Sequence, residues 1–192
     1  MTAKEEKRVE ILNAAIKVFS EAGIEGATIE GIAKEAGIGK GTVYDYFDSK
    51  NTLFQEMIRY SGQRFRDDLV SVIEQGDTMM EKIRLISQFY AKFLKEHLDI
   101  FGSIMTGQTL SEDMRSRMLK EMSTTFKAVE DMIQVGIQTL ELKADIDIEI
   151  AASCILGGVQ SYAMKKLFVD GYNPDEIDHE GIAKVILTGL IE

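Results

Sequence analysis

The sequence predicts an all-α fold of about nine helices, and three observations carry that prediction. Long segments place apolar residues at i, i+3, i+4 and i+7, while alternating β-branched runs are few. The 192 residues include a single proline, Pro174, so little interrupts those segments. Glycines and Ser/Thr residues stand between them, where helices are expected to end and begin. A chain of this length accommodates one or two domains and buries a substantial core.

The first helix is expected over about Lys4 to Ala22, with Ile11, Leu12, Ala15, Val18 and Phe19 inward and Gly23 as its stop. Thr28 is placed to N-cap a second, short helix in which Ile29, Ile32, Ala33 and Ala36 form one apolar face. Gly37 ends it where a left-handed backbone is cheap, and Ile38 is expected to plug the turn into the core. A third helix from about Lys40 to Phe47 would bury Val43 and Phe47 and turn Lys40, Thr42, Tyr44 and Asp45 outward. Helix, glycine turn, helix is the helix-turn-helix, whose second helix lies in the DNA major groove. The three helices make one expected domain, 1–48.

Ser49 should cap a long helix reaching about Gln75, which opens the second expected domain, 49–192. Gly76 and Asp77 break it, and a helix over about 78–96 follows with Ile83, Ile86, Phe89, Tyr90 and Phe93 inward. Residues 97–109 read as one short helix with loops at Gly102 and Gly107. Ser111 to about Leu140 is again a long helix. The helix expected over Ile148 to Asp170 is apolar nearly all round, so two of its sides must be buried, one of them against a second subunit. Gly157, Gly158 and Ser161 would permit a close crossing there. With a last helix over about 175–191 it should form a four-helix interface that includes Ile155, Gly158, Val159, Tyr162, Ile182 and Ile186.

Charge sets a limit on how DNA could be held. Net charge is −10, from 22 Lys and Arg against 32 Asp and Glu. Any nucleic-acid footprint must therefore be local, with Lys40, Lys50 and the N-terminal Lys4, Lys7 and Arg8 toward phosphate. A single cysteine, Cys154, excludes an internal disulfide and a cysteine-based structural zinc site. The N-terminus is charged and no apolar run has the length of a membrane span, so a soluble cytoplasmic protein without membrane contact is expected. The two histidines, His97 and His179, lie at expected loop or helix-end positions without an i, i+4 partner. No Cys/His cluster, phosphate-binding lysine loop or nucleophile elbow occurs, so no enzyme, metal or cofactor is expected.

The stretch KGTVYDYFDSKNTLF, preceded by T-x-x-x-I-A-x-x-A-G-I, resembles the N-terminal domain of the TetR/AcrR family of transcriptional regulators, in register over residues 8–57. The resemblance implies that Lys40, Gly41, Thr42 and Tyr44 approach base edges while Thr28, Tyr46 and Lys50 hold phosphates. Gly41 has a reason to be small, since a side chain there would keep the helix out of the groove. The sequence departs from the family at Gly39, where a capping Ser or Thr is common, and Asp45 brings a carboxylate beside the phosphates. The resemblance further implies a homodimeric repressor on a palindromic double-stranded operator, with a small-molecule pocket among the later helices. Phe65, Phe89, Phe93, Phe101, Met122, Phe126 and Tyr162 are the candidate lining, which suits an apolar or amphipathic effector such as a drug-like or fatty-acyl molecule. The alternatives are an activator of the same family and a helical enzyme that keeps the motif as a relic.

Overall fold

Thr2 starts the first helix, α1 (Ala3–Gly26), through a reciprocal box in which the Glu5 N–H donates to Thr2 Oγ1 at 3.3 Å and the Thr2 N–H to Glu5 Oε2 at 2.7 Å. The computed structural model describes residues 2–105 and 112–188, and the described residues are helical with no strand among them. They fall into two compact units, one drawn from Met1–Gln63 and His97–Leu119, the other from Arg64–Glu96 and Lys120–Glu192.

In the first unit, α1 is interrupted where the sequence predicts its end: Gly23 has φ +70° and ψ 176°, and one further helical turn follows to Gly26. Thr28 caps α2 (Ile29–Glu35) by accepting the Gly31 N–H at 3.0 Å. The exit is a Schellman turn about Gly37, which sits at φ +67°. There the Gly37 N–H donates to the Lys34 carbonyl at 3.2 Å and the Ile38 N–H to the Ala33 carbonyl at 3.0 Å. Helix α3 (Lys40–Tyr44) is shorter than expected. The Tyr46 N–H reaches back only to the Val43 carbonyl, at 3.1 Å, so the last turn tightens and carries Phe47 into the core. Ser49 caps α4 (Lys50–Glu74) at the Thr52 N–H, 3.0 Å away. Ile11, Ile32, Val43, Phe47, Leu53 and Met57 are all essentially inaccessible, and the Phe19 and Phe54 rings meet edge to face at 4.9 Å.

The second unit is built from the later part of α4, the first part of α5 (Met79–Met105), the later part of α6 (Glu112–Gln138), α7 (Ile148–Met164) and α8 (His179–Thr188). Helix α5 corrects one expectation, because it runs unbroken through Gly102 instead of ending near residue 96. One glycine costs a helix interior only about 1 kcal/mol, too little to end a helix by itself. Gly107 lies outside the described residues. The helix expected to reach Asp170 passes at Lys165–Val169 into a π turn, in which the Asp170 N–H bonds the Lys165 carbonyl at 3.0 Å. Asp170 also receives Lys165 Nζ at 2.7 Å and Lys166 Nζ at 2.9 Å, which staples that turn. The final expected helix is likewise divided, into a 3₁₀ turn (Pro174–Glu176) and α8.

His179 stands at a helix end, as the first residue of α8, and is buried. Its Nε2 lies 2.9 Å from the Pro174 carbonyl, which can only accept, so Nε2 carries the proton and Nδ1 accepts the Ser87 hydroxyl at 2.8 Å. Burial holds its pKa below the usual histidine value of 6.5, against the Pro174 hydrogen bond and the nearby Asp175 and Asp178 carboxylates that raise it, while Arg84 adds to the lowering. The unfolded chain therefore binds this proton more readily than the fold. Stability is expected to be highest above pH 6.5 and to fall as the pH drops from there to the depressed folded value. Thermal midpoints of wild type and His179→Gln across that window check this, and an equally steep fall in both would refute it.

Candidate nucleic-acid interface

The end of α1, the start of α2, α3 and the start of α4 enclose a shallow, open concavity. Its rim is Glu25, Ala27, Thr28, Ile29, Glu30, Lys40, Tyr44 and Lys50. Four side chains proposed from sequence to touch DNA thus share one surface although they span residues 28 to 50. The Thr28 hydroxyl is occupied as an acceptor by the Gly31 N–H, which leaves its own O–H to donate outward. Tyr44 is 47% exposed, a large fraction for an aromatic ring. Lys50 Nζ donates to the Glu25 carbonyl at 3.2 Å and so stands over the rim.

On α3 the residues separate by face. Val43 is buried under the helix, Lys40, Gly41, Tyr44 and Asp45 are exposed, and Thr42 and Tyr46 are half-buried. Gly39 begins α3 without a side-chain cap, as its residue type implies. A Cβ added at Gly41 would meet nothing within 4 Å. No neighbour in the fold requires glycine there.

Charges outside that hollow are largely committed within the molecule. Lys7 pairs with Glu10 and Lys17 Nζ with Glu35 at 2.8 Å. Arg8, expected toward phosphate, is engaged within the molecule. Its guanidinium donates to the Tyr46 carbonyl at 3.2 Å, lies 3.3 Å from Glu56 Oε2 and covers the Phe47 ring at 4.5 Å. Lys40 has no acidic partner among the described residues, so its ammonium is available.

Residues 11–57 match the family described as bacterial regulatory proteins, tetR family. That segment is a TetR-family DNA-binding domain. The chain is 27% identical over 161 residues to the fatty acid metabolism regulator protein of Bacillus subtilis, covering 83% of this chain and 82% of that one. Its fold resembles a chain from Mesorhizobium loti described as a TetR-family transcriptional regulator, with a TM-score of 0.81 at 22% identity over 98% of this chain and 96% of the other. It also resembles the Bacillus subtilis regulator FadR in complex with stearoyl-CoA, with a TM-score of 0.71 at 20% identity, covering 96% and 97%. The protein is a DNA-binding transcriptional regulator of all-helical fold. No helix among the described residues is long and apolar enough to cross a membrane.

The residues expected at an effector pocket and a dimer interface are distributed unevenly in the second unit. Phe65 contacts Phe89 at a centroid distance of 5.0 Å and Phe93 at 4.5 Å, and Tyr90 joins them at 5.3 Å from Phe65. Burial pushes the Tyr90 phenol above its ordinary range, so it stays protonated. Tyr90 was inward in the helical pattern, but its place among the rings depends on which helix faces α5. Phe126 packs on the same core. Met122 is exposed, Tyr162 packs instead beside Leu94, Leu167 and Ile177, and the Phe101 side chain lies outside the described residues.

Among the interface candidates, Ile155 and Val159 are fully buried in the subunit's own core. Ile182 and Ile186 are partly buried against that core, and a Cβ on Gly158 would stand 3.3 Å from Ile186 Cδ1, so Gly158 serves the α7–α8 contact within the subunit. The outward face is set by Ile150, Cys154, Gly157, Ser161 and Met164 on α7 and by Val185 on α8.

Proposed function

We propose that this TetR-family regulator is a cytoplasmic homodimeric repressor whose two α3 helices read the half-sites of a palindromic operator, and that a ligand with a long apolar part releases it. Residues 1–48 carry DNA reading and 49–192 carry ligand binding and dimerisation; the chain acts by binding, not by catalysis. The observation that supports operator reading most directly is Gly41, which lies open beside the available Lys40. In this reading Lys40, Gly41, Thr42 and Tyr44 meet base edges, and Thr28, Tyr46 and Lys50 hold phosphates.

The two lysines separate the roles. Lys40 at the start of α3 donates to guanine O6 and N7, a contact worth roughly 1–3 kcal/mol of discrimination. Lys40→Ala is expected to weaken binding mainly to a duplex enriched from a random pool by the wild-type protein. Lys50→Ala is expected to weaken enriched and mixed-sequence duplexes alike and to flatten the salt dependence by about 0.9 per lost contact, nearly two in a dimer. Isotherms on both duplexes at several salt concentrations decide it, and parallel losses on both from Lys40→Ala would remove its base-reading role.

For the effector, the partly buried cluster of Phe65, Phe89, Tyr90 and Phe93 offers an apolar wall that suits an acyl chain. The likeness to a fatty acid metabolism regulator and to a regulator holding stearoyl-CoA supports a fatty-acyl ligand. Stearoyl-CoA is the probe of choice. It is expected to weaken binding to the enriched duplex at least tenfold, about 1.4 kcal/mol, and by reciprocity the duplex weakens stearoyl-CoA by the same factor. Equal acyl-CoA affinity with and without DNA would sever pocket from operator. Repressor and activator differ in where the operator lies relative to the promoter, which footprinting on the native promoter resolves.

A further inference from the structure

We infer that Arg8 is a positioning residue for DNA reading, a strut that fixes the exit of α3 against α1 and α4 without touching DNA itself. The inference rests on α3 as the reading helix. Arg8 projects from the second turn of α1, and its three contacts fall on three consecutive parts of the reading unit. One guanidinium nitrogen donates to the Tyr46 carbonyl at 3.2 Å, just after α3 ends. The second approaches Glu56 on α4 at 3.3 Å, and the plane covers the Phe47 ring between them at 4.5 Å.

Such a strut answers a need set by α3 itself. The helix has five residues and no side-chain N-cap, so its own hydrogen bonds hold it weakly. Val43 and Phe47 anchor it from below, but apolar contacts are non-directional and leave rotation about that anchor cheap. A planar guanidinium with fixed donor directions supplies the missing orientation. Glu56 is set for the task. Burial raises its carboxyl, yet Arg59 at 2.9 Å together with Arg8 holds it below the usual carboxylate range, so it remains an anion. Arg59 also holds the Glu56 carboxylate from one side, so that it faces Arg8 in one orientation.

A strut and a phosphate contact make opposite demands on the same residue. Four proteins, wild type, Arg8→Ala, Arg8→Lys and Glu56→Gln, are titrated with the duplex enriched by wild type and with a mixed-sequence duplex over a range of salt, with helix content and melting followed by circular dichroism. Enrichment by wild type tests reading by α3, and the variants test the strut. Arg8→Ala should lower affinity for the enriched duplex by roughly tenfold or more, the range for a hydrogen bond to a charged group, and leave the salt slope and mixed-sequence affinity in place. Arg8→Lys should restore little, because one ammonium cannot reach Tyr46 and Glu56 and cover Phe47 together. Glu56→Gln removes an anion from an acidic protein, which by long-range electrostatics alone tightens binding to any DNA; the strut requires weaker binding to the enriched duplex.

Rescue by lysine with a salt slope flattened by about 0.9 per contact in Arg8→Ala would make Arg8 a phosphate ligand and overturn the inference. So would unchanged affinity in Arg8→Ala, or tighter binding to both duplexes in Glu56→Gln. Should Arg8→Ala melt below the assay temperature, Arg8→Lys and Glu56→Gln carry the same decision.

Discussion

Gly157→Glu is expected to yield folded monomers. Gly157 faces outward on α7, and an added Cβ there meets nothing within 4 Å, so the subunit accepts a longer side chain without strain. Removing a glycine from a helix interior also stabilises the helix by roughly 0.5–1 kcal/mol. Across a two-fold axis the same substitution places two carboxylates where the helices should approach most closely. An uncompensated buried charge costs about 3–5 kcal/mol, which weakens the dimer by more than a hundredfold. Sedimentation should show a monomer at low micromolar concentration that keeps the helix content of wild type and melts cooperatively. The control is Val159→Glu, because Val159 is wholly inaccessible within the subunit and a charge there should unfold it instead. If Gly157→Glu sediments as a dimer, α7 does not form the interface.

Gly41→Leu should abolish operator recognition and leave the domain folded. The position lies on α3 with open space before it, so no contact in the fold is disturbed. A leucine there holds the helix off the groove by the thickness of its side chain, and base-edge contacts do not survive that displacement. Each good contact is worth roughly 1–3 kcal/mol, so losing two or more per half-site lowers affinity for the enriched duplex by more than about a hundredfold. Affinity for mixed-sequence DNA should fall much less, since it comes mostly from phosphate charge. Retention of enriched-duplex affinity within about threefold would show that α3 does not enter the groove.

The elements that bear on DNA were legible because their signals are local. Thr28 satisfies an N–H three residues on, and Gly37 takes the left-handed backbone that lets Ile38 bond Ala33. Val43 and Phe47 are four residues apart and buried together. Each is settled within a turn or two by backbone geometry and side-chain chemistry, which a string of residues states directly. Helix ends were less so: α5 passes through Gly102, because one poor residue costs a long helix too little to end it.

Arg8, His179 and α7 show where such reading stops. Arg8 is a basic residue beside Lys4 and Lys7, and as sequence it looks like another phosphate contact. Its partners are 38 and 48 residues away, at Tyr46 and Glu56, and only the crossing of α1 with α4 brings them within reach. His179 finds Ser87 across 92 residues, and the burial that lowers its pKa comes from that packing, although the Pro174 carbonyl close by in sequence fixes its tautomer. Helix α7 is apolar around most of its circumference, so its pattern specified two buried sides but not which residues served which. The fold assigns Ile155 and Val159 to the subunit's core and leaves Ile150 and Gly157 outside. Composition and periodicity established an all-helical chain with a helix-turn-helix head, because helix formation, capping and turning are short-range. Which charged group is engaged, and which apolar residues stay exposed, was decided only when distant helices packed, since burial and ion pairing depend on neighbours that sequence order does not name.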